Sequence, residues 1–247
     1  MLEKIELDSQ SFKFPPATRA LLIGPSQSGK TSFVKNMLKY KDILFVKPYT
    51  KFVYISPNLS NSYLSHERQF MNSMRELASP APIEFLSELP SLEELMSYVD
   101  NEESKICYIL DDFNEELFNS KAISNLYTRL SSHFGMDVIA TSHVGFGSGK
   151  YYQTVFKNSN VIIIWRNPMD KSMIRYLNTK VFEGQSGFLK KVQAQVLNLM
   201  GPHGYLVMDG NFSNLLTLRF PIKTRIFPYK DDNNKIQCNP VYFHFKE

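Results

Sequence analysis

A chain of 247 residues is long enough for one large α/β domain with a substantial core or for two small ones, and one is expected. An apolar fraction of 43% against 21% charged residues excludes a disordered chain, and two cysteines, Cys107 and Cys238, exclude a disulfide framework or a cysteine-based zinc site. The formal net charge of +4 is mildly basic, which is compatible with a nucleic-acid partner and does not require one. No apolar stretch reaches the length of a membrane span, and Met1-Leu2-Glu3-Lys4-Ile5-Glu6 lacks the basic-then-apolar layout of a secretory signal. The expectation is a soluble, intracellular protein with no membrane partner.

In chain order, the first clear element is a strand read over Arg19 to Ile23, carried by the apolar run Ala20-Leu21-Leu22-Ile23. It leads directly into Gly24-Pro25-Ser26-Gln27-Ser28-Gly29-Lys30-Thr31, a complete G-x-x-x-x-G-K-[ST] phosphate-binding loop. Glycines at both ends let the backbone curl with its N–H groups inward around a triphosphate. Lys30 then reaches the β/γ-phosphates and the Thr31 hydroxyl can ligate Mg²⁺. From Ser32 to Lys39 the apolar residues recur at helical spacing, so the loop opens a helix whose N-terminus favours anions. Residues 24 to 32 are therefore the candidate phosphate-binding set: Gly24, Pro25, Ser26, Gln27, Ser28, Gly29, Lys30, Thr31 and Ser32.

Further strands are predicted at Phe52 to Ser56, Ile83 to Phe85, Lys105 to Leu110, Val138 to Thr141 and Val161 to Trp165. They alternate with helical patterns, which points to an α/β fold with a mostly parallel central sheet covered by helices on both faces. Ser91-Leu92-Glu93-Glu94 reads as a capping box opening a helix from Leu92 to Val99. Ile123, Leu126, Tyr127, Leu130 and Phe134 fall on one helical face. Helical patterns over Lys171 to Phe182 and Phe188 to Leu199 precede a predicted hairpin, with strands Gly204 to Met208 and Leu215 to Phe220. Residues 1–221 are read as one domain and 222–247 as a C-terminal arm or extension.

The run Ile106-Cys107-Tyr108-Ile109-Leu110 ends in Asp111-Asp112. A buried strand delivers a carboxylate to a phosphate site with little freedom, which makes Asp111 the partner of the Mg²⁺ held by Thr31 and Asp112 the group that polarises an attacking water. A helix-capping role is the alternative for Asp112. At the end of the Val138 strand, Thr141, Ser142 and His143 can sense a γ-phosphate. Gly145-Phe146-Gly147-Ser148-Gly149-Lys150 is read as a glycine-rich loop, with a nucleic-acid contact through Lys150, Tyr151 and Tyr152 as its functional reading. Arg166 is the best-placed candidate for an arginine that neutralises transition-state charge, in cis or from a neighbour; Arg129 and Arg175 are the others.

Taken together, the loop at 24 to 31, the Asp111-Asp112 strand, the polar strand end at 141 to 143 and the strand ending at Arg166 resemble the FtsK/HerA superfamily of P-loop ATPases. Within it, the chain looks most like the poxvirus-type viral genome-packaging ATPases of large DNA viruses and of Maverick/Polinton or adintovirus elements. The likeness covers roughly residues 15 to 220. Two departures stand out: Thr141-Ser142-His143 where the family usually places Gln or Asn, and Asp112 where many members have Glu. The resemblance implies an additional-strand P-loop sandwich of the RecA/FtsK kind and a Mg²⁺-dependent ATP hydrolase. It also implies a homo-oligomeric ring, pentamer or hexamer, that moves double-stranded DNA into a capsid, with capsid or portal proteins as partners, at the virus assembly site of the infected cell. Lys30, Asp112, His143 and Arg166 would be its catalytic residues, and Thr31 and Asp111 its metal ligands. The alternatives are a small-molecule or nucleotide kinase and a non-hydrolysing ATP-binding scaffold.

Overall fold

The computed structural model describes residues 2–6, 13–46, 48–61, 65–98, 105–113, 119–143, 149–169, 171–180, 188–209, 222–224, 226–230, 233–237 and 241–245. Its first half runs β1 (Leu2–Glu6), β2 (Arg19–Ile23), α1 (Lys30–Lys39), α2 (Lys41–Leu44), β3 (Lys51–Ile55), a 3₁₀ turn (Pro57–Asn61), α3 (Ser65–Ala78), β4 (Ile83–Leu86), α4 (Leu92–Ser97) and β5 (Ile106–Leu110). Then come α5 (Lys121–Asn125), a π-helical turn (Leu126–Leu130), α6 (Ser131–Phe134), β6 (Asp137–Ser142), α7 (Lys150–Asn158) and β7 (Val161–Trp165). The last part holds α8 (Ser172–Lys180), α9 (Phe188–Met200), β8 (Tyr205–Asp209), β9 (Ile222–Thr224), β10 (Tyr229–Lys230), β11 (Ile236–Gln237) and β12 (Val241–Phe245).

Ten strands form one sheet in the order β1-β12-β9-β8-β7-β2-β6-β5-β3-β4. The block from β7 to β4 is parallel throughout, as its unbroken apolar runs Ile106–Leu110 and Val161–Trp165 require of strands covered on both faces. From β7 outward, β8, β9, β12 and β1 pair antiparallel. Strand alternation sends the side chains into two separate cores. Leu21, Ile23, Val53, Tyr108 and Val138 pack with Leu126, Tyr127, Tyr152 and Val196 on one face. Ala20, Leu22, Phe52, Ile109 and Ile163 pack with Phe33, Met37 and Met74 on the other. Two cores divided by one sheet make a three-layer α/β sandwich.

The predicted strands of the parallel block coincide with the observed ones to within a residue, and the Ser91–Glu94 capping box is present in both halves. Three expectations need correcting. Phe134 is 44% exposed and does not share the buried face of Ile123, Leu126, Tyr127 and Leu130, because the π turn inserts extra backbone and rotates the next helical turn. Tyr152 is fully buried, which removes it from any nucleic-acid contact. Lys150 opens α7 instead of closing a loop; the rest of that stretch from Gly145 to Ser148 lies outside the described residues, as do Leu215 to Phe220 and Cys238. β9 and β12, from the stretch read as an arm, extend the main sheet, and β12 pairs with β1.

Candidate active site

The phosphate-binding loop leaves the C-terminal end of β2 and enters α1 at Lys30. Its curl depends on backbone that most residues avoid: Gln27 has φ 61° and Gly29 φ 109°. Gly24 is needed for closeness, since a Cβ there would lie 2.7 Å from Ser28 Oγ and 2.9 Å from Trp165 Cβ. The Gly24 N–H donates to the Ser142 carbonyl (3.1 Å), tying the loop to the end of β6. Because β2, β3, β5, β6 and β7 are parallel, every residue just past their C-terminal ends emerges at the same edge of the sheet.

At that edge Asp111 and Asp112 take different environments. Asp111 is buried (5% exposed) and accepts from Thr31 Oγ1 (3.3 Å), Thr141 Oγ1 (2.7 Å) and the Tyr54 hydroxyl. Its neighbour Asp112 turns outward at φ 61°. Its N–H donates to Thr141 Oγ1 (2.9 Å), while its carboxylate meets His143 Nε2 (2.5 Å) and the Asn58 amide (2.5 Å). Partial burial pushes the Asp112 carboxyl up, but the His143 and Asn58 hydrogen bonds and the Lys30 charge outweigh it and hold it below the usual carboxylate range.

Lys30, only 6% exposed, donates to the carbonyls of Gly24 (2.7 Å) and Pro25 (3.0 Å) and faces His143 Nδ1 at 3.2 Å. Burial lowers the lysine's pKa, against the opposing pull of Asp111 and Asp112. An ammonium can only donate, so His143 Nδ1 accepts and its proton is assigned to Nε2, aimed at Asp112. Thr141, fully buried, braces both acids from behind and does not open onto the cleft. Of the three sensor candidates, Thr141, Ser142 and His143, it is His143 that lines it.

These groups form one wall of a cleft of about 930 Å³ that also reaches Asn58 and Phe70 on one side and Trp165, His203 and Phe227 on the other. Such a volume accommodates a nucleoside triphosphate. Thr31 Oγ1 and the Asp111 carboxylate are hard oxygen donors, the type Mg²⁺ takes in ones and twos while keeping water and phosphate oxygens. No group of three or more His, Cys, Asp or Glu is placed for an all-protein metal cage among the described residues. The donor set therefore fits Mg²⁺ carried on a triphosphate.

Arg166 does not join this cleft. Trp165 points to the loop's side of the sheet, so alternation turns Arg166 to the opposite face, where it lines a shallow recess with Gln193 and Gly201. Arg129 and Arg175 are exposed on their helices and line no part of the cleft either. Sequence reasoning missed Tyr54 and Asn58, which come from the end of β3 and the 3₁₀ turn after it. It also missed the aromatic side of the cleft, where Phe33 meets Trp165, Tyr205 and Phe227 with ring centroids 5.5, 5.0 and 4.7 Å away.

Fold and loop together define the class: a P-loop NTPase sandwich of the additional-strand type, with β6 inserted between the loop strand β2 and the acid-ended strand β5. No family model matches the chain, and no curated protein matches it. Among solved structures, it is similar to the genome packaging NTPase B204 from Sulfolobus turreted icosahedral virus 2 in complex with sulfate, at 15% identity and a TM-score of 0.50, over 80% of this chain and 94% of that one. The same NTPase in complex with AMPPCP aligns over 94% and 98% at 12% identity with a TM-score of 0.45. Thermomonospora curvata EccC (ATPases 2 and 3), in complex with a signal sequence peptide, aligns over 59% and 29% at 13% identity with a TM-score of 0.37. The last two are too distant to carry an argument. The first shows a shared fold, the fold that the FtsK/HerA resemblance implied.

Proposed function

We propose that the chain is a Mg²⁺-dependent ATPase that moves double-stranded DNA into a viral capsid, working as a homo-oligomeric ring with capsid or portal proteins as partners. The observation that carries hydrolysis is the convergence of Lys30, Thr31, Asp111, Asp112 and His143 on one wall of one cleft. Packaging draws its support from the sequence resemblance and from the fold shared with a genome packaging NTPase.

In this reading the loop amides and Lys30 hold the β/γ-phosphates, and Thr31 and Asp111 hold Mg²⁺, which supplies neutralisation of phosphate charge. Asp112 orients the attacking water and accepts its proton as the water oxygen bonds to the γ-phosphorus and ADP departs. His143 fixes the Asp112 carboxylate and, standing between it and Lys30, registers whether the lysine has swung to a γ-phosphate. Arg166 faces away from its own cleft, so in this reading any part it takes in hydrolysis is at a neighbouring subunit's site. Residues 222–247 act as an extension of the ATPase domain, 1–221, with no independent fold.

The test is ATP hydrolysis with and without duplex DNA. Hydrolysis stimulated by DNA, weakened by salt, and abolished by Lys30→Ala and Asp112→Asn is the expected result. Transfer of the γ-phosphoryl group to a nucleoside, or ATP binding without turnover in the presence of DNA, would overturn it.

A further inference from the structure

The chain from β9 onward is dense in charge, with Lys223 and Arg225 before and Lys230, Asp231 and Asp232 after an uncharged stretch, Ile226-Phe227-Pro228-Tyr229. That stretch is anchored. Ile226 is fully buried, its N–H donates to the Tyr205 hydroxyl (3.2 Å), and Thr224 Oγ1 donates to the Tyr205 carbonyl (2.6 Å). Phe227 and Tyr229, by contrast, are only half-buried, and both line the cleft that begins at the phosphate-binding loop. An aromatic residue that served the core alone would be covered, as Phe33 beneath Phe227 is, at 3% exposure.

Phe227 lies along one face of α1, its ring 4.7 Å from Phe33 and 6.3 Å from Tyr40. Between those two, on the same strip of the helix, stands Asn36, exposed and lining the cleft, with no side-chain hydrogen bond among the described residues. It stands six positions on from Lys30, about 9 Å along the helix axis, a span that an α-phosphate and a ribose cover. On that spacing a triphosphate seated on the loop would present its base to Phe227, Tyr229 and Asn36, which line the same cleft.

We propose that Phe227 and Tyr229 form the stacking platform for the nucleotide's base and that Asn36 reads its edge, selecting adenine. This rests on the phosphate-loop reading above. A carboxamide offers one acceptor and one donor side by side, which match adenine N6–H₂ and N7; guanine presents O6 and N7, two acceptors, and leaves the amide oxygen opposed. The platform is held by the core through Ile226 and Phe33, so little ordering is lost when a base settles on it.

The experiment is displacement of a fluorescent ATP analogue from the full chain by ATP, GTP and inorganic tripolyphosphate. Tyr229→Ala is expected to weaken ATP roughly 10- to 100-fold, the loss of one aromatic stacking partner, and to leave tripolyphosphate unchanged. Phe227→Ala should act in the same direction, and Asn36→Leu should narrow the preference for ATP over GTP with tripolyphosphate again unmoved. Equal losses for ATP and tripolyphosphate, or unchanged ATP affinity in both aromatic variants, overturn the platform. A wild-type chain that binds neither ATP nor tripolyphosphate overturns the phosphate-loop reading itself, and the platform with it.

Discussion

His143 bridges the two groups that matter most in the cleft: its Nε2 lies 2.5 Å from Asp112 Oδ1 and its Nδ1 lies 3.2 Å from Lys30 Nζ. One ring therefore links the residue placed for the terminal phosphates to the carboxylate placed for the attacking water. His143→Ala removes a hydrogen bond that lowers the Asp112 pKa, so that pKa rises toward the ordinary carboxylate range. The base is active when ionised, and the acid limb of the kcat against pH profile should shift to higher pH. The rate at neutral pH should fall by about 10²-fold, within the range of a lost acid–base contribution. An acid limb that stays in place would show that His143 does not act through Asp112.

Thr141 is the second brace. Its hydroxyl donates to Asp111 Oδ1 (2.7 Å) and accepts from the Asp112 N–H (2.9 Å). Thr141→Val keeps the shape and strands a backbone donor, which costs about 1–3 kcal/mol. Denaturant unfolding should register that loss, and hydrolysis should fall with it. Thr141→Ser should recover both, since it restores the hydroxyl.

Trp165 is the chain's single tryptophan and lies against the loop, where a Cβ added at Gly24 would come within 2.9 Å of it. Gly24→Ala must push both Ser28 and Trp165 aside, an overpacking cost of about 1–3 kcal/mol. Triphosphate binding should be visible in the Trp165 emission of the wild type. In Gly24→Ala the emission without nucleotide should already differ, and titration with ATP should need more ligand for the same change. An unchanged spectrum and unchanged titration would mean that the loop yields freely.

Much of the site was legible because it is local. The loop is eight contiguous residues, Asp111-Asp112 ends a contiguous apolar run, and β2, β5 and β7 announce themselves as short apolar stretches. What stayed hidden depends on pairing between distant segments. Asn58 meets Asp112 only because β3 lies beside β5, and Tyr54 reaches Asp111 by the same route. Phe227 meets Phe33 across nearly the whole chain, in a tail without periodicity. Arg166 shows the reverse case: its place at a strand end was legible, but which face it takes depends on Trp165 being claimed by the loop's side.

At the opposite end of β6, Asp137 is fully buried and accepts from the Thr18 N–H (2.6 Å), the Tyr49 hydroxyl and Lys105 Nζ (3.4 Å). Burial raises its pKa, and Lys105, Tyr49 and Thr18 only partly restrain the rise. Between the ordinary carboxylate value and this raised one, the native state binds more protons than the unfolded state, so stability falls as pH climbs through that window and levels off above it. Asp112, with its lowered pKa, contributes the opposite slope below the ordinary value. Asp137→Asn keeps an acceptor for the Thr18 N–H and removes the titration. Its thermal midpoint should accordingly lose the downward slope across that window. Asp137→Ala strands the Thr18 N–H, the Tyr49 hydroxyl and the Lys105 charge together, and should cost about 3 kcal/mol at neutral pH. A slope that survives in Asp137→Asn would assign the pH dependence to another group.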